Sequence, residues 1–100
     1  MHVVRFELRS VAQPSEGRAA LIADLIRACA GPGGGVEHVT VTALRSSFDV
    51  TLFLSGRISD PGEHGAAVIA AARDASELFA GWRARTSFVH GIGWNLPPHE

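Results

Sequence analysis

Residues 36–54 read VEHVTVTALRSSFDVTLFL, and this stretch decides the fold. Apolar and polar residues alternate from Val36 to Arg45 and again from Phe48 to Leu54. A period of two predicts half-buried strands. The short polar link at residues 45–47 is typical of a chain reversal. The stretch therefore predicts an antiparallel β-hairpin with one apolar face and one polar face.

A helix is predicted on each side of this hairpin. Downstream, residues 60–63 (DPGE) combine a capping Asp, a proline suited to the first helical turn and a glutamate three residues after the cap. Apolar residues then recur at helical spacing from Val68 to Trp82. Upstream, residues 13–16 (QPSE) predict a second helix start, and the glycine-rich residues 31–35 end that helix. Its expected apolar stripe consists of Leu21, Ile22, Leu25, Ile26 and Cys29.

The two outer segments complete the pattern, because residues 3–9 and 83–90 also alternate. The resulting order is β-α-β-β-α-β. Right-handed crossovers and one apolar stripe per helix favour two helices on one face of a four-stranded antiparallel sheet. We expect an α+β, ferredoxin-like single domain over residues 1–90, with strand order 4-1-3-2. An apolar, proline-containing tail follows at residues 91–100.

The composition excludes several classes of protein. The 100 residues are 46% hydrophobic and 19% charged, with a formal net charge of −1. Disordered chains combine low hydrophobicity with high net charge, which is the opposite pattern. RNA-binding sheets of this kind need several stacking aromatics on their central strands, and this nearly neutral chain has only Phe53 at the open positions there. No apolar run reaches the ~18 residues of a membrane span. We therefore expect no nucleic-acid partner and no membrane partner.

Residue usage favours a bacterial, cytoplasmic protein. All nine basic residues are arginine and alanine is abundant, which resembles the coding habit of high-GC bacteria. The only cysteine, Cys29, cannot form an intramolecular disulfide, so a reducing cytoplasm is the simplest location. Because Cys29 falls on an apolar stripe near a predicted helix end, we interpret it as a buried hydrophobic residue rather than a nucleophile.

Neither a metal nor another cofactor is expected. His2 begins one predicted strand and His90 ends its neighbour, so the two could meet at one end of the sheet. No Cys, Asp or Glu at ligand spacing completes a metal site there. Residues 31–35 follow a helix and open a strand, which is the reverse of a phosphate-binding loop, and we interpret them as a flexible connector.

The polar face of the predicted sheet is the candidate functional surface. Antiparallel pairing predicts ion pairs between Arg9 and Asp49 and between Glu7 and Arg85. Phe53 is a large apolar group on this polar face and the tail is also apolar, so either the tail folds over the sheet or two sheets pack face to face in a homodimer, which we favour. The predicted ligand- or partner-binding residues are Arg5, Glu7, Arg9, His38, Asp49, Phe53, Arg85 and Trp94.

Two functions fit these features. The favoured one is a small, dimeric, non-catalytic binding or accessory protein of bacterial secondary metabolism. It would hold a protein, a peptide or a small molecule with the open sheet face or edge and the tail. The alternative is a small dimeric α+β barrel enzyme, such as a cofactor-independent oxygenase, cyclase or isomerase, with a pocket closed between its subunits.

The order of elements is similar to that of acylphosphatases, ACT domains and dimeric α+β barrel proteins, but the residues match none of them. Residues 10–15 (SVAQPS) lack the glycine-rich catalytic loop of acylphosphatases. Gly17 lies too late for the ligand-binding glycine of ACT domains. Trp82 is better explained as core at a helix end than as part of a monooxygenase site. The likeness is therefore one of fold, and a fold alone does not fix a function.

Overall fold

A computed structural model of the chain describes residues 1–9, 14–31, 33–76 and 83–91, the last six of these by their backbone only. Its elements are β1 (His2–Arg9), α1 (Glu16–Ala30), β2 (Val36–Ala43), β3 (Ser47–Leu54), α2 (Pro61–Ala75) and β4 (Arg83–Gly91). All three strand pairings are antiparallel. The prediction of an α+β chain with a four-stranded antiparallel sheet and two helices is confirmed, and the arrangement is compatible with a ferredoxin-like fold.

The strands lie in the order β2-β3-β1-β4. Read from the other edge, the same sheet has the order β4-β1-β3-β2. The central strands are therefore β1 and β3, which pair without interruption from His2 opposite Leu54 to Arg9 opposite Ser47. This regular central pair fixes where every side chain of the polar face lies.

Each edge strand contains one irregularity. In β2 the pairing skips Glu37, and in β4 it skips Ser87. The shift in β4 places Phe88 opposite Arg5 and Thr86 opposite Phe6. The extra residue interrupts the simple alternation that the sequence predicts for residues 83–90.

Both helices pack on one face of the sheet. The side chains on this covered face are buried, and α2 approaches β1 closely because Gly65 has no side chain. A Cβ at Gly65 would lie 3.2 Å from two ring carbons of Phe6. The main core residues from the strands are Val4, Phe6, Leu8, Val39, Phe48, Val50, Leu52 and Leu54, and those from the helices are Ala19, Ile22, Ala23, Ile26, Val68, Ile69 and Ala72.

The expected apolar stripe of α1 is only partly correct. Ile22 and Ile26 are buried, whereas Leu25 and Cys29 are only partly buried and Leu21 is 57% exposed. The buried positions of α1 are 19, 22, 23 and 26, which follow the spacing of one helical face. Two of these four residues are alanines. The buried face of α1 therefore has smaller side chains than the predicted stripe of Leu21, Ile22, Leu25, Ile26 and Cys29.

Both predicted helix starts are confirmed. The Ser15 hydroxyl accepts a hydrogen bond from the backbone N–H of Arg18, and the Asp60 carboxylate accepts one from the backbone N–H of Glu63. Such caps satisfy backbone donors that have no partner inside the helix. The helix α2 ends at Ala75, and the part of its expected stripe between residues 77 and 82, including Trp82, lies outside the described residues.

The glycine-rich segment has a defined conformation where the structure describes it. The His64 Nε2–H donates to the Gly34 carbonyl oxygen at 2.7 Å, and the Ser55 backbone N–H donates to that of Gly35 at 2.7 Å. A Cβ at Gly34 would lie 2.0 Å from the Ala30 carbonyl oxygen, and Gly35 has a φ of +85°. These contacts connect the segment that follows α1 to Ser55 and to the start of α2.

Candidate binding face

The face of the sheet turned away from the helices is called the open face here. Its cross-strand register places His38, Phe53 and Val3 side by side on β2, β3 and β1. The rings of His38 and Phe53 have centroids 5.6 Å apart and are tilted by 51°. Phe53 and Val3 are half-buried, whereas His38 is exposed. We call these three residues the ring row, and they give one end of the open face an apolar surface.

The opposite end of the open face is charged. Glu7 lies directly opposite Asp49 on the neighbouring strand, an arrangement of like charges that is unfavourable by itself. The Arg5 guanidinium forms an ion pair with the Asp49 carboxylate. On the other side, Arg9 Nε lies 3.3 Å and Arg85 Nη2 lies 3.7 Å from the same oxygen, Oε1 of Glu7. Arginines on both sides thus compensate the two neighbouring carboxylates.

One of the two predicted ion pairs is confirmed. Arg85 pairs with Glu7 as expected, but Arg9 does not pair with Asp49. Arg5 and Arg9 are both diagonal neighbours of Asp49, each displaced by two residues from the position directly opposite it. The sequence pattern could not choose between them, and in the structure Arg5 takes Asp49 while Arg9 turns along its own strand to Glu7.

A further arginine, Arg83, belongs to the charged end and was not among the predicted site residues. It lies directly opposite Arg9 and is exposed. Together with Glu7, Arg9 and Arg85 it lines an open depression of about 400 Å³. One indication of this position is present in the sequence, because Arg83 lies two residues before Arg85 and therefore points to the same face. Since Arg83 is the first residue of the strand, its partner across the sheet could not be identified from the alternation alone.

The structure divides the eight predicted site residues into three groups. The charged end brings five of them together, which are Arg5, Glu7, Arg9, Asp49 and Arg85. His38 and Phe53 meet in the ring row. Trp94 lies outside the described residues. The predicted surface is therefore two sites at opposite ends of one sheet face.

Metal binding finds no support in the part of the chain that the structure describes. There, no three His, Cys, Asp or Glu side chains are grouped closely enough to hold a metal ion. His2 is buried in the core and lies opposite Gly91, whereas His90 lies opposite Val3. The two histidines are thus not directly paired across the strands, although both stand at the same end of the sheet.

A second open depression, of about 510 Å³, lies beside the glycine-rich segment. It is bordered by Gly33 to Gly35, Ser55, Arg57 and His64. The carbonyls of Gly34 and Gly35 are already occupied by His64 and Ser55. Among the described lining residues, this depression has one arginine, Arg57, whereas the depression at the charged end of the open face has three. The charged end therefore has the stronger positive field.

No protein-family model matches the chain, and no curated protein is similar to it. Within the described ranges, neither helix combines the length and the apolar character needed to cross a membrane. The function is therefore inferred from the geometry of the open face.

Proposed function

We propose that this chain is a small, non-catalytic binding protein that acts as a homodimer through its open face. The observation that carries the proposal is the ring row, which presents apolar surface from Phe53 and Val3 on the sheet face opposite both helices. Apolar groups on an otherwise polar surface are typical of an interaction site. A bacterial accessory role in secondary metabolism is part of the same proposal.

A second copy of the chain is the partner that this face favours. The open face offers an apolar row together with charges of both signs, so it can be complementary to itself, as a two-fold interface requires. Four strands of eight or nine residues span roughly 27 Å by 19 Å. In a standard interface each partner contributes about 800 Å², and the area of this sheet face is within a factor of two of that value.

A binding role is favoured over catalysis by the exposure of the charged groups. The side chains of Arg5, Arg9 and Arg85 are each about half exposed or more, and they face open depressions. Enzyme sites use closed, water-excluding pockets to strengthen such groups. A dimer that enclosed the charged end in a closed pocket and turned over a small substrate would instead favour the dimeric α+β barrel enzyme.

The tail is included in the proposed binding surface. The last described residue of β4, Gly91, lies one residue beyond the position opposite Val3, at the end of the sheet that bears the ring row. Removal of residues 92–100, which include Trp94, is expected to weaken dimerisation or partner binding. Unchanged mass, stability and binding after this deletion would restrict the surface to the sheet itself.

Sedimentation of matched variants tests the dimer. The wild-type chain is expected to sediment as two copies at tens of micromolar, and Phe53→Glu as one, because a carboxylate in the ring row would be buried against the partner. The control is Leu21→Glu, which alters an exposed leucine on α1, and it is expected to remain dimeric. Circular dichroism confirms that each variant is folded.

Two results would contradict the proposal. A wild-type mass of one chain at these concentrations would exclude the homodimer. Dissociation by Leu21→Glu but not by Phe53→Glu would move the interface from the open face to α1.

A further inference from the structure

Two arginines converge on one carboxylate at the charged end of the open face, and a third lies beside them. Arg9 and Arg85 both approach Glu7 Oε1, at 3.3 Å and 3.7 Å, and Arg83 lines the same depression. We propose that Arg9, Arg83 and Arg85 bind the phosphate group of a phosphate monoester. This inference rests on the proposed function, which makes the open face the binding surface. It adds the chemical class of the ligand that this face binds.

The charge balance of this site matches a doubly charged anion. Three guanidinium groups supply a charge of +3 and Glu7 supplies −1, which leaves +2 around the depression. A phosphate monoester carries close to two negative charges near neutral pH. The chain as a whole has a formal charge of −1, so the positive charge here is local rather than a property of the whole surface.

The cross-strand register gives an independent reason to expect an anion. Arg9 and Arg83 are directly opposite each other on β1 and β4, and like charges in this position destabilise a sheet. The neighbouring like-charge pair of Glu7 and Asp49 is compensated by Arg5. Among the ion pairs of the described residues, none includes Arg83. A bound phosphate would compensate the arginine pair in the same way.

The exposure of the arginines allows them to turn towards a ligand. The side chains of Arg9 and Arg85 are 66% and 78% exposed, and their ion pairs with Glu7 are longer than an ideal charged hydrogen bond. Exposed ion pairs contribute little free energy, so the arginines lose little stabilisation when phosphate oxygens replace Glu7 as their partner. The tetrahedral phosphate offers three terminal oxygens to the forked donors of the three guanidinium groups.

Phenyl phosphate is the probe for this site, followed by amide chemical-shift perturbation in nuclear magnetic resonance spectra. Near pH 7.5, where the monoester carries close to two charges, we expect saturable shifts at residues 7–9 and 83–85. A dissociation constant on the order of 1 mM is expected at low salt, and it should rise with salt because the site is exposed. Shifts that do not saturate, or that spread over the whole chain, would overturn the proposal.

Three variants test the roles of individual residues. Arg83→Ala is expected to weaken phenyl phosphate binding about tenfold, since hydrogen bonds between charged groups are lost. Arg73→Ala removes an exposed arginine of α2 and should leave binding unchanged. Glu7→Gln removes the competing carboxylate and should strengthen binding a few-fold. Equal effects of Arg83→Ala and Arg73→Ala, or weaker binding by Glu7→Gln, would contradict the assignment.

Succinate and acetate distinguish phosphate recognition from general anion binding. We expect phenyl phosphate to bind more tightly than succinate, and acetate to bind most weakly because it has a single charge. Tighter binding of succinate would overturn the phosphate assignment.

Sedimentation of the same samples separates this inference from the proposed function. A stable dimer without saturable phosphate binding refutes the inference alone. Saturable phosphate binding by a single chain refutes the dimer and leaves the phosphate site supported.

Discussion

The two faces of the sheet differ sharply although their residues alternate one by one along the same strands. On β3, Leu52 is fully buried beneath the helices, whereas its neighbour Phe53 lies on the open face and contacts His38. On β1, Phe6 is buried under Gly65 of α2, whereas the adjacent Arg5 forms an ion pair with Asp49. Stability and binding can therefore be changed separately by substitutions one residue apart.

The largest expected effect comes from the covered face. Leu52→Ala should lower the free energy of unfolding by roughly 2–5 kcal/mol, because it leaves a cavity in a closely packed core. The matched substitution on the open face, Phe53→Ala, should cost clearly less in samples dilute enough to be monomeric, since Phe53 is only half-buried within one chain. Urea unfolding of the two variants measures the difference. Equal losses would mean that the open face is covered in the folded protein as thoroughly as the other face.

A second test concerns the close approach of α2 to the covered face. Gly65→Leu should destabilise the chain by roughly 1–3 kcal/mol, because its side chain would overlap the ring of Phe6. Gly17→Leu is the matched control in α1, since a Cβ there meets no atom within 4 Å. It should be neutral or slightly stabilising, as leucine is the better helix former. A thermal melt in which Gly65→Leu is as stable as Gly17→Leu would contradict the packing of α2 on β1.

The smallest expected change in stability is on the open face, and it is a gain rather than a loss. Arg83→Ala should raise stability by a few tenths of a kcal/mol at low salt, because it removes the like-charge pair with Arg9. Arg5→Ala should lower stability by a similar amount, since it leaves Glu7 and Asp49 facing each other without Arg5. High salt should diminish both effects. Loss of stability in Arg83→Ala would show that this arginine has a structural partner.

Local signals in the sequence predicted the elements well. The alternation in residues 36–54 identified the hairpin, and the caps at Ser15 and Asp60 are at the predicted helix starts. These signals depend on residues close together in the chain, for which hydrogen bonding and burial follow a short repeat. The polar face of the sheet could be assigned for the same reason.

The errors arose where the outcome depended on register or on packing across the sheet. The choice of Arg5 rather than Arg9 as the partner of Asp49 requires the side-chain directions as well as the register. The exposure of Leu21 depends on which side of α1 meets the sheet, and the buried side includes two small alanines beside Ile22 and Ile26. The division of the candidate surface into two ends, and the place of Arg83 in one of them, likewise needed the three-dimensional pairing.

The extra residues at Glu37 and Ser87 make both edges of the sheet irregular. They interrupt the two outer strands, which are the only strands of the described sheet with a free side for another chain to extend. An irregular edge is a poor template for adding a further strand, whereas a flat edge invites fibril-like growth. Such edges would let two molecules meet through their faces while discouraging open-ended polymerisation.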